Sequence, residues 1–384
     1  MIKFNIPPYV GSELTYIQQA LETNQKTSGD GPFTRKCQTF LEKKFDAKNI
    51  LLTTSATAAL EMAMLLCDLK ANDEVIMPSF NFVSAADVVT ICQAIPVFVD
   101  IRKDTMNIDE EKIEAAITAK TKAIVVVHYG GVACEMTKIM QVAKKYNLKV
   151  IEDAAHGINA FFKGKALGTI GDIGCYSFHE TKNISMGEGG AILVNNPDLI
   201  EKALITWEKG TDRQKYLRKE IDKYSWIAKG SSFLPSDVLA ACLWAQLEKI
   251  DLITKDRLKS WNLYYRLLSP LKIKKLIELP IVTADCQINA HIFYIICNNY
   301  QEKEALKQFL DGHKIIAASH YVPLHSSQAG LKYGRFVGND VYTTVYSNRI
   351  LRLPLYWGLQ ANDIREVVKQ IYAFYNQKNE DYKI

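Results

Sequence analysis

Between residues 49 and 194 the chain repeats one pattern, a short apolar run followed by a longer polar–apolar window. The runs are NILLT (49–53), EVIMP (74–78), IPVFVDI (95–101), KAIVVVHYG (122–130), KVIE (149–152), IGCYSF (173–178) and AILV (191–194). Each is short and rich in β-branched residues, and most lack a polar alternation, so they read as strands buried on both faces. Several of the windows between them carry helical spacing. In 58–70, for example, Ala59, Met62, Ala63 and Leu66 fall at i, i+3, i+4 and i+7 and so share one helix face. Seven strands with intervening helices predict an α/β fold around a mostly parallel seven-stranded sheet, covered on both sides.

After about residue 200 the rhythm changes. A polar, aromatic segment (211–236) is followed by a long helical region (237–270). Then come a strand at HIFYIIC (291–297), a helix near 302–312, a strand near 314–319, the loop HYVPLH (320–325) and a closing helix near 361–376. Two unequal domains are expected: residues 1–240 as a large α/β domain, and residues 241–384 as a smaller α+β domain.

A parallel sheet brings the carboxyl ends of its strands to one edge, where ligands bind. Asp153 ends the run KVIE, and Lys182 follows IGCYSF, so the two converge there with Ser177 and His156 close by. A lysine desolvated among apolar neighbours has a lowered pKa and a nucleophilic amine suited to Schiff-base chemistry. A carboxylate across the cleft suits a cationic ring nitrogen, as pyridoxal phosphate requires. Taken singly, Lys182 is equally a loop lysine and Asp153 a strand-end cap.

LLTTSATAALEMA (51–63) is a strand, a turn of small residues and a helix start, with Ser55, Ala56 and Thr57 at the turn. That turn fits a phosphate held by helix N-terminal N–H groups and hydroxyls, or ordinary N-capping. Phe80 and Phe82 follow another strand end, where one could stack on a flat ring or both could be core.

The net charge of +5 is small for 384 residues, and no basic run interleaved with aromatics occurs, so nucleic-acid binding is not indicated. The eight cysteines are scattered without a C-x-x-C pair, and the seven histidines lack metal-ligand spacing. Reduced thiols, a cytoplasmic protein and no metal centre are therefore expected. No apolar run approaches a membrane span.

Taken together, the order of these motifs resembles the DegT/DnrJ/EryC1/StrS family of sugar aminotransferases, within the fold-type I pyridoxal-phosphate enzymes. The likeness covers nearly the whole chain, through GDGPFTR, TSATAALEMA, NDEVIMPSFNFVSA, EDAAH, SFHETKN, EGG, HYVPLH and LRLPLYWGL. The resemblance implies that Lys182 bonds the cofactor covalently and then moves the proton. It assigns Asp153 to the pyridine nitrogen, His156 to the ring or its 3-oxygen side, and Phe82 to the ring face. Ser55, Ala56, Thr57 and Ser177 would hold the phosphate.

The same resemblance implies L-glutamate as donor, pyridoxamine phosphate as the intermediate cofactor form, and a dTDP-linked 4-keto-6-deoxy sugar as acceptor. The expected product is dTDP-4-amino-4,6-dideoxy-D-galactose, of polysaccharide biosynthesis. Related 3-dehydratases carry histidine at the position of Lys182, so the lysine argues for amino transfer. His320, Tyr321, His325 and Arg213 are candidate substrate contacts, with Lys209 beside them. A homodimer with active sites at the subunit interface is implied. One segment departs from the family pattern. Leu234 stands where many members carry an asparagine that reaches the partner's cofactor phosphate, so that contact is missing or comes from elsewhere in 225–236. Other readings are a C3 ketone, a UDP-linked sugar, the opposite C4 stereochemistry, or an inactive regulatory homologue.

Overall fold

The computed structural model describes residues 1–381. The first five predicted strands are Ile50–Thr53 (β1), Glu74–Pro78 (β2), Ile95–Val99 (β3), Thr121–Val127 (β4) and Lys149–Asp153 (β5). A hairpin of Phe161–Phe162 (β6) and Lys165–Ala166 (β7) comes next, then Ile173–Ser177 (β8) and Gly190–Val194 (β9). The seven predicted strands lie in one sheet, ordered β1-β9-β8-β5-β4-β2-β3, with an eighth strand beyond β3. Pairs β5–β8, β4–β5, β2–β4 and β2–β3 are parallel, and β9 runs antiparallel to both of its neighbours. This is the expected α/β architecture, a mostly parallel sheet with helices, accompanied by smaller C-terminal sheets.

The absence of polar alternation in the strands has its cause in the layers. Ile76, Val97, Ile124, Val126 and Val150 belong to one apolar cluster. Their neighbours Val75, Met77, Phe98, Val125 and Ile151 belong to another. Successive side chains point to opposite faces of a strand, so both faces of the sheet are packed. Helix Ala56–Leu66 buries Ala59, Met62, Ala63 and Leu66 as its spacing predicts, and Ala58, Leu60 and Met64 as well.

The later part of the chain builds a second core. The 237–270 region forms two helices, Asp237–Leu247 and Ile250–Ile273. Cys286–Gln287 (β10) extends the β6–β7 hairpin. Phe293–Ile296 (β11) pairs antiparallel with a strand at Ile350–Leu353, over the helices Tyr300–Gly312 and Ala361–Asp381. Trp261, Tyr264, Phe293, Leu306, Leu351 and Val367 share this core.

Two features differ from the sequence-based expectation. Arg335–Phe336 (β12) is the eighth strand of the main sheet, parallel to β3; two residues are too few to leave a periodic signal. The strand expected near 314–319 is reduced to isolated bridges, Ile2 with Ile315 and Ala318 with Arg352. The latter bridge ties the 320s loop to Ile350–Leu353 (β13).

Candidate active site

Several strand ends and three C-terminal segments open onto one cavity of about 490 Å³. β1 delivers the turn Ser55–Thr57, β2 delivers Asn81 and Phe82, β5 delivers Asp153 and His156, and β8 delivers Ser177 and then Lys182. From the C-terminal part come His291 just ahead of β11, His320 and Tyr321 from the loop, and Arg352 on β13.

The wall behind Asp153 is fixed by its neighbour in sequence. Glu152 points away from the cavity and is fully buried. It accepts N–H bonds from Gly168, Ile170 and Gly171 at 2.9, 2.7 and 2.6 Å. His128 Nε2 lies 2.9 Å from Glu152 Oε2. The Cys134 N–H donates to His128 Nδ1, which places the ring proton on Nε2, facing the carboxylate. A buried carboxylate with this many donors locks the loop connecting β7 to β8.

Asp153 itself is buried and accepts from the Ala155 N–H at 3.1 Å. Burial pushes its pKa up, against the smaller effects of that bond and of Lys182. Lys182 is half-buried as a residue, yet desolvation of its amine pulls the pKa down to about 8. Asp153 opposes that fall and Arg352 adds to it. At pH 7.5 roughly a quarter of such an amine is neutral, against about a thousandth of an ordinary lysine.

His156 and His291 stack with centroids 4.2 Å apart. The Gly130 N–H donates to His156 Nδ1, which places that ring's proton on Nε2. Asn183 spends its amide N–H on the Asn289 carbonyl, so its Oδ1 accepts from His291 Nδ1. Burial lowers both imidazoles well below the usual histidine range, so both are neutral at pH 7.

The turn at the end of β1 is a cradle for an anion. Ser55 caps helix Ala56–Leu66 by accepting the Ala58 N–H at 3.0 Å. The N–H groups of Ala56 and Thr57 have no acceptor within the helix, and they stand at the positive end of its dipole. Thr57 Oγ1 lies 2.8 Å from Ser84 Oγ. Gly190 makes the approach possible: a Cβ there would lie 2.5 Å from Ala56 N. A phosphorylated, cationic ring fits these residues. Asp153 lacks a strong cationic partner, the cradle offers N–H groups, and Asn81 Nδ2 is buried without a partner.

The sequence of residues 9–372 matches the DegT/DnrJ/EryC1/StrS aminotransferase family. The chain belongs to that family. The spore coat polysaccharide biosynthesis protein SpsC of Bacillus subtilis is 30% identical over 96% of both chains. GDP-perosamine synthase of Caulobacter vibrioides is 35% identical over 66% of this chain and 67% of its own. Among solved structures, the PLP-form of Spr1654 from Streptococcus pneumoniae superposes with a TM-score of 0.86 at 23% identity, covering 98% of this chain and 99% of that one.

In this aminotransferase the cavity brings together Ser55, Ala56, Thr57, Phe82, Asp153, His156, Ser177, Lys182, His320 and Tyr321. It does not include His325, whose Nδ1 lies 2.6 Å from Ser79 Oγ and whose Nε2 lies 3.3 Å from Asp340. Nor does it include Arg213, which pairs with Glu208 at 2.9 Å. Leu234 packs against Gly29, whose added Cβ would meet Leu234 Cβ at 2.5 Å. Phe82 lines the cavity but is 55% exposed.

Sequence reasoning missed Asn81, His291 and Arg352. Asn81 and Arg352 stand inside segments quoted for other reasons, SFNF and LRLPL. His291 precedes an apolar run and carries no signal of its own. Among the described residues no helix is long and apolar enough to cross a membrane.

Proposed function

We propose that this aminotransferase uses pyridoxal phosphate to move an amino group from L-glutamate to C4 of dTDP-4-dehydro-6-deoxy-D-glucose, giving dTDP-4-amino-4,6-dideoxy-D-galactose. The observation that carries this reading is a desolvated amine, Lys182, in one cavity with a buried carboxylate and a helix-start anion cradle. The PLP-form of the Spr1654 structure, which shares the fold, supports the choice of cofactor. SpsC and GDP-perosamine synthase support a sugar acceptor.

When bound, pyridoxal phosphate supplies an aldehyde carbon that can hold the amino group and a ring that takes up electron density. Ser55, Ala56, Thr57 and Ser177 would hold the phosphate, and Asp153 would hold the ring nitrogen in its protonated state. Phe82 would cover one ring face, and His156, neutral with its Nε2–H available, would border the ring. Lys182 would be the residue that holds the cofactor's aldehyde carbon and, when free and neutral, the base that would take the proton from the donor's α-carbon and the acid that would deliver one to the sugar carbon. A pKa of about 8 suits that exchange near neutral pH.

The exposed apolar side chains Phe82, Val83, Trp226 and Ile227 support a homodimer. GDP-perosamine synthase, at 35% identity, favours a second reading, in which the keto sugar is carried on another nucleotide. Glutamate-dependent conversion of dTDP-, GDP- and UDP-linked keto sugars, with the product examined by NMR, decides. An equatorial C4 amine rejects the galacto product, and turnover of the GDP-linked sugar alone rejects the dTDP assignment.

A further inference from the structure

Asn81 leaves a hydrogen-bond donor unused in the cavity wall. The residue follows β2, lines the cavity and is 1% exposed. Its Oδ1 accepts the Phe82 N–H at 2.7 Å. That bond fixes which way the amide faces, because an NH₂ group cannot accept an N–H. Nδ2 is the atom left over, and among the described residues nothing bonds it. Gln38, Trp244 and Tyr264 also carry unpartnered buried groups, but none of the three lines the cavity. A buried amide donor without an acceptor is costly, and a ligand that brings an acceptor removes the cost.

The strand order says which part of a ligand Asn81 meets. Along the sheet run β1, β9, β8, β5, β4 and β2. The anion cradle stands at the end of β1, Ser177 and Lys182 at β8, and Asp153 at β5. Asn81 leaves β2, on the far side of Asp153 from the cradle. The chain then turns back, and Ser84 Oγ reaches to 2.8 Å from Thr57 Oγ1. Asn81 is thereby held over the same cavity as Asp153.

Pyridoxal phosphate carries three polar groups that a protein can hold: the phosphate arm, the ring nitrogen and the 3-oxygen. The 3-oxygen lies on the ring edge opposite the phosphate arm. With the phosphate in the cradle and the nitrogen on Asp153, that edge turns toward β4 and β2, where Asn81 stands. His156 offers its Nε2–H to the same cavity, and an ionised oxygen accepts more than one bond.

We propose that Asn81 donates its free amide N–H to the 3-oxygen of bound pyridoxal phosphate and holds that oxygen ionised. This rests on the pyridoxal-phosphate reading and adds a cofactor-binding residue to it. A hydrogen bond to a charged acceptor is stronger than one between neutral groups. It favours the deprotonated form of the bound cofactor over the protonated one, and so lowers the pH at which the cofactor's absorbance changes.

The test loads wild type, Asn81→Ala and Asn81→Leu with pyridoxal phosphate and titrates the absorbance band with pH. Alanine leaves space and leucine fills it, but both remove the donor. Loss of a charge-assisted bond changes an equilibrium by about 10-fold, so the midpoint should rise by about one pH value in both variants. The dissociation constant for pyridoxal phosphate should rise by about 10-fold as well. The cofactor-free variants should still unfold cooperatively.

An unchanged midpoint in both variants overturns the assignment, as does a rise in only one of them, which packing alone would cause. A raised half-saturating concentration of nucleotide sugar with an unchanged titration moves Asn81 to the sugar and overturns the cofactor role. In each of these cases the band itself still forms and the pyridoxal-phosphate reading stands. A wild type that forms no band with pyridoxal phosphate overturns both, before any variant is made.

Discussion

Lys182 and Asp153 line one cavity, and each moves the other's protonation: the carboxylate holds the amine's pKa up, and the ammonium holds the carboxyl's down. Desolvation wins at both, leaving the lysine at about 8 and the carboxyl above its ordinary value. The site thus sets a buried carboxylate in the same cavity as an amine that is partly neutral.

Replacing Lys182 with alanine removes both the covalent anchor and the proton carrier. General acid–base help alone is worth about 10²–10⁴-fold, so turnover should fall by at least about 10³-fold. Among the described residues, the hydrogen bond of Lys182 is the one from its backbone N–H to the His179 carbonyl, at 2.9 Å, and this bond survives the change. Thermal unfolding of the cofactor-free variant, compared with the cofactor-free wild type, should therefore show an intact cooperative transition.

The lysine also sets a pH dependence. Its folded pKa of about 8 lies below the ordinary 10.5, so between those values the unfolded chain binds more protons. The Lys182 contribution to stability is then most unfavourable below pH 8 and fades as pH rises toward 10.5. Cofactor-free Lys182→Met should be stabilised relative to wild type at pH 7, and this gain should vanish near pH 10.5. Denaturant midpoints at a series of pH values measure it.

Asp153→Asn keeps the shape and removes the charge. Losing a pre-organised electrostatic partner of a reacting system costs about 10²–10³-fold in turnover. Because Asp153 raises the amine's pKa, the variant's lysine should titrate lower than in the wild type. Titration of the amine by pH-dependent chemical labelling, with peptide mass spectrometry, reads that shift independently of activity.

Gly190→Ala tests the anion cradle. The new methyl would meet Ala56 N, Ser55 C and Ser55 O at 2.5, 2.5 and 2.6 Å. All three are backbone atoms at the junction of β9 and the helix start, and they cannot swing aside. Overpacking of this sort costs about 1–3 kcal/mol, measurable by urea unfolding. Cofactor affinity should fall along with stability, since the displaced turn is the proposed phosphate holder. Gly187→Ala is the contrast on the same loop, because nothing lies within 4 Å of its added Cβ. Its φ of +84° is the only source of strain there.

Much of this was legible in the chain because the sheet is buried on both faces. EVIMP, KVIE with Asp153, and IGCYSF announce themselves as apolar runs, and the residues at their ends reach one edge by geometry alone. The C-terminal contributions were less readable. β12 is two residues long, the expected strand near 314–319 survives as bridges, and Arg352 sits in a strand where alternation hides a charged residue among leucines. His325 and Arg213 stood in suggestive segments, yet local partners, Ser79 with Asp340 and Glu208, hold them away from the cavity. Pairing of that kind is settled by tertiary contacts that periodicity does not encode.

The most direct measurement is to load the protein with pyridoxal phosphate, treat it with borohydride to fix any bond between the aldehyde and an amine, and map the label by peptide mass spectrometry. The label should fall on Lys182, and Lys182→Ala should carry none. A label on another lysine, or an unlabelled Lys182 in protein saturated with the cofactor, would contradict the assignment.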